Sequence, residues 1–288
     1  MSRVYIVTDS TSDIPKPLRE EYGIHLIPLQ VLFGHEAFYD SVTIGPDEFY
    51  RKQSEASVLP TTSQPSPAEF LQTYQAILEK NPAAAIISIH LSSNLSGTYQ
   101  SAVIAASMLD GAPDVTVIDS KSASFGIAFQ VVTAAKAAKE GRTKDEILSR
   151  IERIREKTRI YFIVDTLEYL QKGGRIGKAS ALFGTLLNIK PILTLDPEGV
   201  VTPIDKVRGH KKAVARIVEL LKGEFGPEVQ VDACFAHAAA PELCDQLEQA
   251  VTGGLRIEKT FYASVGPVIG THTGPGVIAV FVHPVVLQ

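Results

Sequence analysis

Short apolar runs rich in Val and Ile alternate with helix-period segments through the first half of this chain, and few folds can accommodate that alternation. The runs cover Val4 to Val7, Ile24 to Leu32, Ala85 to Ile89 and Val115 to Ile118. Bounded by turn residues and only a few residues long, they are expected to be strands buried between two layers. Between them lie helix-period segments at Pro15 to Tyr22, Pro46 to Glu55, Pro67 to Lys80, Thr98 to Leu109 and Gly126 to Lys139. Strands that alternate with helices pair in parallel, because each helix returns the chain across the sheet. Pro15, Pro46 and Pro67 suit the first turn of a helix, where the missing N–H would have had no helical partner.

The pair Thr143 and Glu146 has the spacing of a capping box and predicts a helix running to about Lys157. A second set of elements follows. It comprises a strand from Ile160 to Val164, a Gly-rich turn from Gly173 to Gly177, a helix from about His210 to Lys222, a strand near Val229 to Ala236, a helix from Pro241 to Val251, and strands near Glu258 to Tyr262 and Val277 to Val282. A length of 288 residues favours about two domains. The expected fold class is therefore α/β, with two α/β domains, residues 1–158 and 159–288, the first built on a mainly parallel sheet flanked by helices.

The formal charge of −4 provides no overall field to draw in nucleic acid, so no nucleic-acid partner is expected. Cys234 and Cys244 lie ten positions apart, which is neither a zinc nor a redox spacing, and both read as buried thiols. The seven histidines show no i, i+4 pair on a helix and no HExxH or DxD pattern, so no metal and no other cofactor is expected. The first ten residues are too polar for a signal sequence or a membrane span. A cytoplasmic protein with at most transient membrane contact is the expectation.

Two hydroxyl-rich segments stand before helix-period runs: SSNLSG at Ser92 to Gly97 and TSQPS at Thr62 to Ser66. Hydroxyls at a helix start can hold an anion, helped by free N–H groups and the positive end of the helix dipole. Ser96 is the sharpest candidate because Gly97 beside it lets the backbone approach a ligand; Thr62 has the same two readings, anion contact or helix cap. His272, in THTGPG, is expected in a polar loop where it has no packing duty. The loops beginning TDSTSD at Thr8, HLSSNLSGT at His90 and DSKSAS at Asp119 should converge at one sheet edge, either lining a cleft or merely closing turns. KGGRIGK at Lys172 fails the phosphate-loop pattern, having Lys172 where Gly is needed and Ala179 where Ser or Thr is needed, so Arg175 reads as a structural or partner-facing charge. Asn94 stands where a nucleophile elbow needs Gly, which argues against Ser96 as a hydrolase nucleophile.

Taken in order, TDSTSDIP, TSQPS, LSSNLSGTYQSA, VIDSKSAS, KGGRIGK, IKPIL at Ile189, KVR at Lys206 and THTGPG resemble the DegV family over nearly the whole chain. That family includes the fatty-acid-binding subunits, FakB, of a bacterial fatty acid kinase. The resemblance implies a long-chain fatty acid, palmitate- or stearate-like, held in a tunnel between the two domains. It places carboxylate contacts on Thr62 and Ser96, with Ser93, Gly97 and His272 supporting the head group, and kinase-facing charges on Arg208 and Arg175. One departure is Thr61, where relatives often carry Lys.

The leading expectation is thus a carrier, not an enzyme, that presents a bound acyl chain to a separate kinase for acyl-phosphate formation and so serves phospholipid synthesis. The alternatives are a stand-alone acyl- or phosphoryl-group enzyme using Ser96 or His272, and a lipid sensor. Burying each methylene is worth about 0.8 kcal/mol, so a tail of ~14 methylenes offers ~11 kcal/mol before association costs.

Overall fold

A computed structural model describes residues 3–184 and 189–285. Val4–Asp9, His25–Ile27, Ala85–His90 and Val115–Asp119 form a four-stranded sheet in which every pairing is parallel, as the alternation predicts. Residues Ala85 to His90 are buried throughout, because helices cover both faces. The predicted helices form with small shifts at their ends: Lys16–Tyr22, Pro46–Glu55, Pro67–Lys80, Thr98–Ser107 and Phe125–Lys139. Thr143 and Glu146 make the expected capping box at the start of Lys144–Lys157.

The apolar run Ile24 to Leu32 is not one strand. It breaks at Pro28 and Leu29, and its second part, Gln30–Phe33, leaves the parallel sheet to form the centre of a small antiparallel sheet with Glu36–Tyr39 and Thr61–Ser63. Proline has no N–H for a sheet ladder, which makes Pro28 the natural exit. This small sheet sets the position of Thr62, whose Cα partner is Val31. Thr62 therefore sits on a strand and not at a helix start; the following helix is capped by Ser66 with Glu69.

The second half builds a six-stranded mixed sheet in the order Val201–Arg208, Ile189–Leu195, Arg159–Ile163, Ile278–Pro284, Gln230–His237, Arg256–Ser264. Only the pairing of Gln230–His237 with Arg256–Ser264 is parallel. Helices His210–Phe225 and Pro241–Thr252 pack on this sheet through Ile217, Leu221 and Leu247. The THTGPG segment is a further departure: Pro267–Thr273 is a short helix, so His272 lies in its last turn and not in a loop. The largest apolar cluster holds Ile87 and Phe129 from the first half together with Phe162 and Phe281 from the second.

The loops after the parallel strands converge, and most of their polar groups close the backbone. The fully buried Asp9 carboxylate accepts from the N–H groups of Thr11 and Leu91, each at 3.0 Å, and lies 3.0 Å from His90 Nδ1. Asp119 accepts from the N–H of Lys121, and Ser120 bonds to Ser122. Two further buried acids, Asp13 and Asp40, flank Gly266 at the start of the Pro267–Thr273 helix. Asp13 accepts from Ser124 Oγ at 2.5 Å and from the Gly266 N–H at 3.2 Å. Burial pushes the Asp40 carboxyl up from 3.8 to about 7, a rise that hydrogen bonds from Ser10, Ser41 and the Val268 N–H oppose.

A carboxyl whose folded pKa is raised contributes stability that is fully present below its ordinary value and is lost as pH rises through the folded value. Relative to Asp40→Asn, the natural protein should lose unfolding free energy steadily from about pH 4 to about pH 7, with a constant difference above that. Denaturant unfolding of both proteins across this range checks the slope; a difference independent of pH would show that Asp40 is ionised throughout.

Candidate functional site

A cavity lies between the parallel sheet and the six-stranded sheet, and both halves of the chain supply its walls. Leu29, Leu91 and Leu95 contribute from one side, and Phe162, Val265, Ala279 and Phe281 from the other. The space open to the centre of a water molecule is about 150 Å³. Most of its wall is aliphatic or aromatic. The polar exceptions, Thr62, Gln64, Ser96, Ser124, Arg175, His272 and Thr273, include a linked group gathered at one place.

That group is defined by contacts. Thr62 Oγ1 lies 2.8 Å from His272 Nε2. The imidazole packs over the backbone of Gly173, where a Cβ would come within 2.3 Å of Nδ1, so only glycine leaves room for the ring. Arg175 donates from Nη1 to the Gly173 carbonyl at 2.7 Å and from Nε to the Leu95 carbonyl at 2.9 Å, which ties the Gly-rich turn to the loop carrying Ser96. Gly97 plays the same role for Gln64: a Cβ there would meet the Gln64 amide at 2.3 Å. Gln64 in turn donates to Ser101 at 3.0 Å.

Burial, and next the charge of Arg175, push the His272 pKa down from 6.5 to about 4, so the ring is neutral at physiological pH. Its buried Nδ1 meets no partner among the described residues. An orphaned acceptor is tolerated better than an orphaned N–H, so the hydrogen-bond network assigns the proton to Nε2. His272 then donates to Thr62 Oγ1, and the hydroxyl hydrogen of Thr62 is free to point at an acceptor in the cavity. A ring held neutral to about 4, with no carboxylate on Nδ1, is a poor general base. The cluster is better suited to holding an anion beside a fixed cation than to taking protons.

The expected site residues fall into three groups. Thr62, Ser96 and His272 line the cavity together. Ser96 Oγ also accepts from the Thr98 N–H at 3.3 Å and lies 2.9 Å from Thr98 Oγ1, so the hydroxyl that lines the cavity also bonds the first residue of the helix. Ser93 departs from its expected place: it is exposed, lies outside the cavity wall, and its N–H is directed to Asp119. Gly97 acts through Gln64 and does not form part of the wall. Arg175, expected as a structural or partner-facing charge, has a structural role: its guanidinium bridges two loop carbonyls at the cavity. Arg208 is exposed at the end of an edge strand, seven positions from the cavity residue Val201. Thr61 is exposed, so the exchange of Lys for Thr at this position lies outside the cavity wall.

Gln64 and Ser124 escape the sequence reading. Gln64 belongs to the same TSQPS run as Thr62 and lies one residue past the strand Thr61–Ser63. Among the described residues, no group of His, Cys, Asp and Glu could hold a metal ion, and no helix is long and apolar enough to cross a membrane.

The sequence matches the family described as "Uncharacterised protein, DegV family" over residues 3–285. It is 38% identical over 281 residues to a DegV domain-containing protein of Caldanaerobacter subterraneus, covering 98% of this chain and 99% of that protein. It is 37% identical over 278 residues to Protein DegV of Bacillus subtilis, covering 96% and 98%. Among solved structures, it superposes on a DegV family protein of Thermus thermophilus, described by its fatty acid binding, with a TM-score of 0.92 and 39% identity over 98% of this chain and 100% of that one. The structure of DegV from Bacillus subtilis, described as a fatty acid binding protein, superposes with a TM-score of 0.87 and 36% identity over 99% and 100%. Matched end to end by one family and by relatives of this identity, the chain belongs to the DegV family.

Proposed function

We propose that this protein binds a long-chain fatty acid, with the acyl tail in the apolar cavity and the carboxylate against Thr62, Ser96 and Arg175. The observation that carries this reading is the division of one cavity's lining into an apolar majority and a linked polar cluster containing a cation. A water-sized group needs ~10–15 Å³ on the same measure, so about 150 Å³ takes a chain of roughly ten or more methylenes. The fatty acid binding reported for relatives of 39% and 36% identity supports the same ligand.

The tail supplies most of the affinity, at about 0.8 kcal/mol for each buried methylene. The head group fixes direction. A carboxylate taken from water must recover its hydrogen bonds, and each bond to a charged group is worth ~1.5–3 kcal/mol. The free hydroxyl hydrogen of Thr62, the hydroxyl of Ser96 and the nearby guanidinium supply that compensation. Ser124 and Gln64 widen the polar rim without adding charge.

The carrier role follows from what the residues can and cannot do. With His272 neutral and engaged with Thr62, the pocket holds a carboxylate without activating it, so acyl-phosphate formation falls to a separate ATP-dependent fatty acid kinase. The family resemblance supports that partner, and the exposed Arg208 on an edge strand is the side chain assigned to meet it. Cytoplasmic residence and service to phospholipid synthesis belong to the same reading. A stand-alone enzyme would need a competent base beside Ser96, whose recorded hydroxyl contact is Thr98.

Purified protein is expected to carry endogenous fatty acid, recoverable by extraction and mass spectrometry. No acyl chain in the extract and no uptake from a mixture of fatty acids would sink the proposal. Thr62→Val and Ser96→Ala should each weaken binding by roughly tenfold to a hundredfold, measured by displacement of a fluorescent fatty acid. Arg208→Ala should leave fatty acid affinity unchanged while slowing phosphorylation of the bound acid by the kinase. Equal loss of both would place Arg208 in lipid binding instead.

A further inference from the structure

A second cavity lies directly behind the first. Along the strand Ile278–Pro284 and the residue before it, side chains two positions apart share a face. Val277, Ala279 and Phe281 on that face line the first cavity, and the next residue in the series, His283, lines the second, which measures about 130 Å³. The roof is continuous in the same way. Ser124 lines the first cavity, while Phe125, Phe129, Val132 and Lys136, one stripe of the helix Phe125–Lys139, line the second.

Where the two spaces approach, two aromatic side chains stand between them. Phe281 faces the first cavity and Phe125 the second, with ring centroids 6.5 Å apart. Phe125 is held edge-on to Phe129 at 5.6 Å, and the far wall is aromatic, formed by Phe129, Phe261 and His283. Charge enters only with Lys136, Glu140, Arg150 and Asp232. The part of this space nearest the first cavity, walled by Phe125, Ala128, Phe129 and Phe261, is apolar and fits the methyl end of a chain.

We propose that Phe125 and Phe281 form the chain-length stop of the acyl channel, and that removing either ring opens the second cavity to the tail of longer fatty acids. This inference rests on the fatty-acid reading above. It makes Phe125 and Phe281 specificity-determining residues that never touch the carboxylate.

The test is a binding series of saturated fatty acids from laurate to lignocerate on the full chain, using Phe281→Ala, the milder Phe125→Leu, and Phe281→Ala combined with Ala128→Phe. In the natural protein, affinity should climb with length and then level off once the methyl group reaches the wall. In either single variant it should keep climbing, by up to about fourfold for each further methylene buried. The added Ala128→Phe ring, placed in the second cavity, should restore the plateau. The proposal is overturned if a folded single variant levels off at the natural length, or if the natural protein's affinity rises without a plateau through lignocerate. Natural protein that binds no acid of any length overturns the fatty-acid reading itself, a result distinct from a plateau that does not move.

Discussion

The cavity exists because hydrogen bonds at its rim hold two apolar faces together without letting them close. Tyr50 donates to the Val265 carbonyl at 2.9 Å, Ser92 to that of Gly199 at 2.9 Å, Asn94 to that of Glu198 at 2.8 Å and Arg175 to that of Leu95 at 2.9 Å. The Gly266 N–H donates to Asp13, and Thr62 meets His272. Each joins the first half of the chain to the second, and most use a side chain against a backbone group. Such bonds have narrow geometry, so they set the spacing of the sheets where apolar contact alone would favour collapse. The apolar surface left between them lines the cavity.

The same economy governs the polar end. Four segments far apart in sequence meet there: the Thr61–Ser63 strand, the loop before the Thr98–Ser107 helix, the Gly-rich turn at Gly173, and the Pro267–Thr273 helix. Arg175 is used twice, as the brace between two loops and as the cation facing the cavity. Its charge and the burial of the ring keep His272 neutral, which lets the imidazole donate to Thr62 without adding a second positive charge.

Several of these features were legible in the residues. The alternation of apolar runs and helix periods identified the parallel sheet, and the Thr143 and Glu146 spacing located a helix start. Thr62, Ser96 and His272 line one cavity, but two of them do so from settings that local pattern does not give. Thr62 is on an antiparallel strand because Pro28 turns the chain out of the parallel sheet, and that choice depends on where Val31 and Thr62 find partners. His272 is not free of packing, since its ring fills the space that Gly173 leaves. Ser93 and Gly97 looked like ligands from their neighbourhood in the sequence; one faces outward and the other makes room for Gln64.

Sequence alone determined the elements governed by neighbours a few residues apart: strand and helix alternation, caps, proline-led helix starts and the glycine-rich turn. It also carried the family, because ordered motifs along the whole chain reflect one fold. Only the tertiary structure decided which way Arg175 points, which hydroxyls share a wall, and that the rings of Phe281 and Phe125, each lining a different cavity, stand against one another. Those outcomes depend on contacts between residues separated by tens to hundreds of positions. Periodicity shows which face of an element is buried, but which side chain lies opposite depends on the packing of the whole molecule.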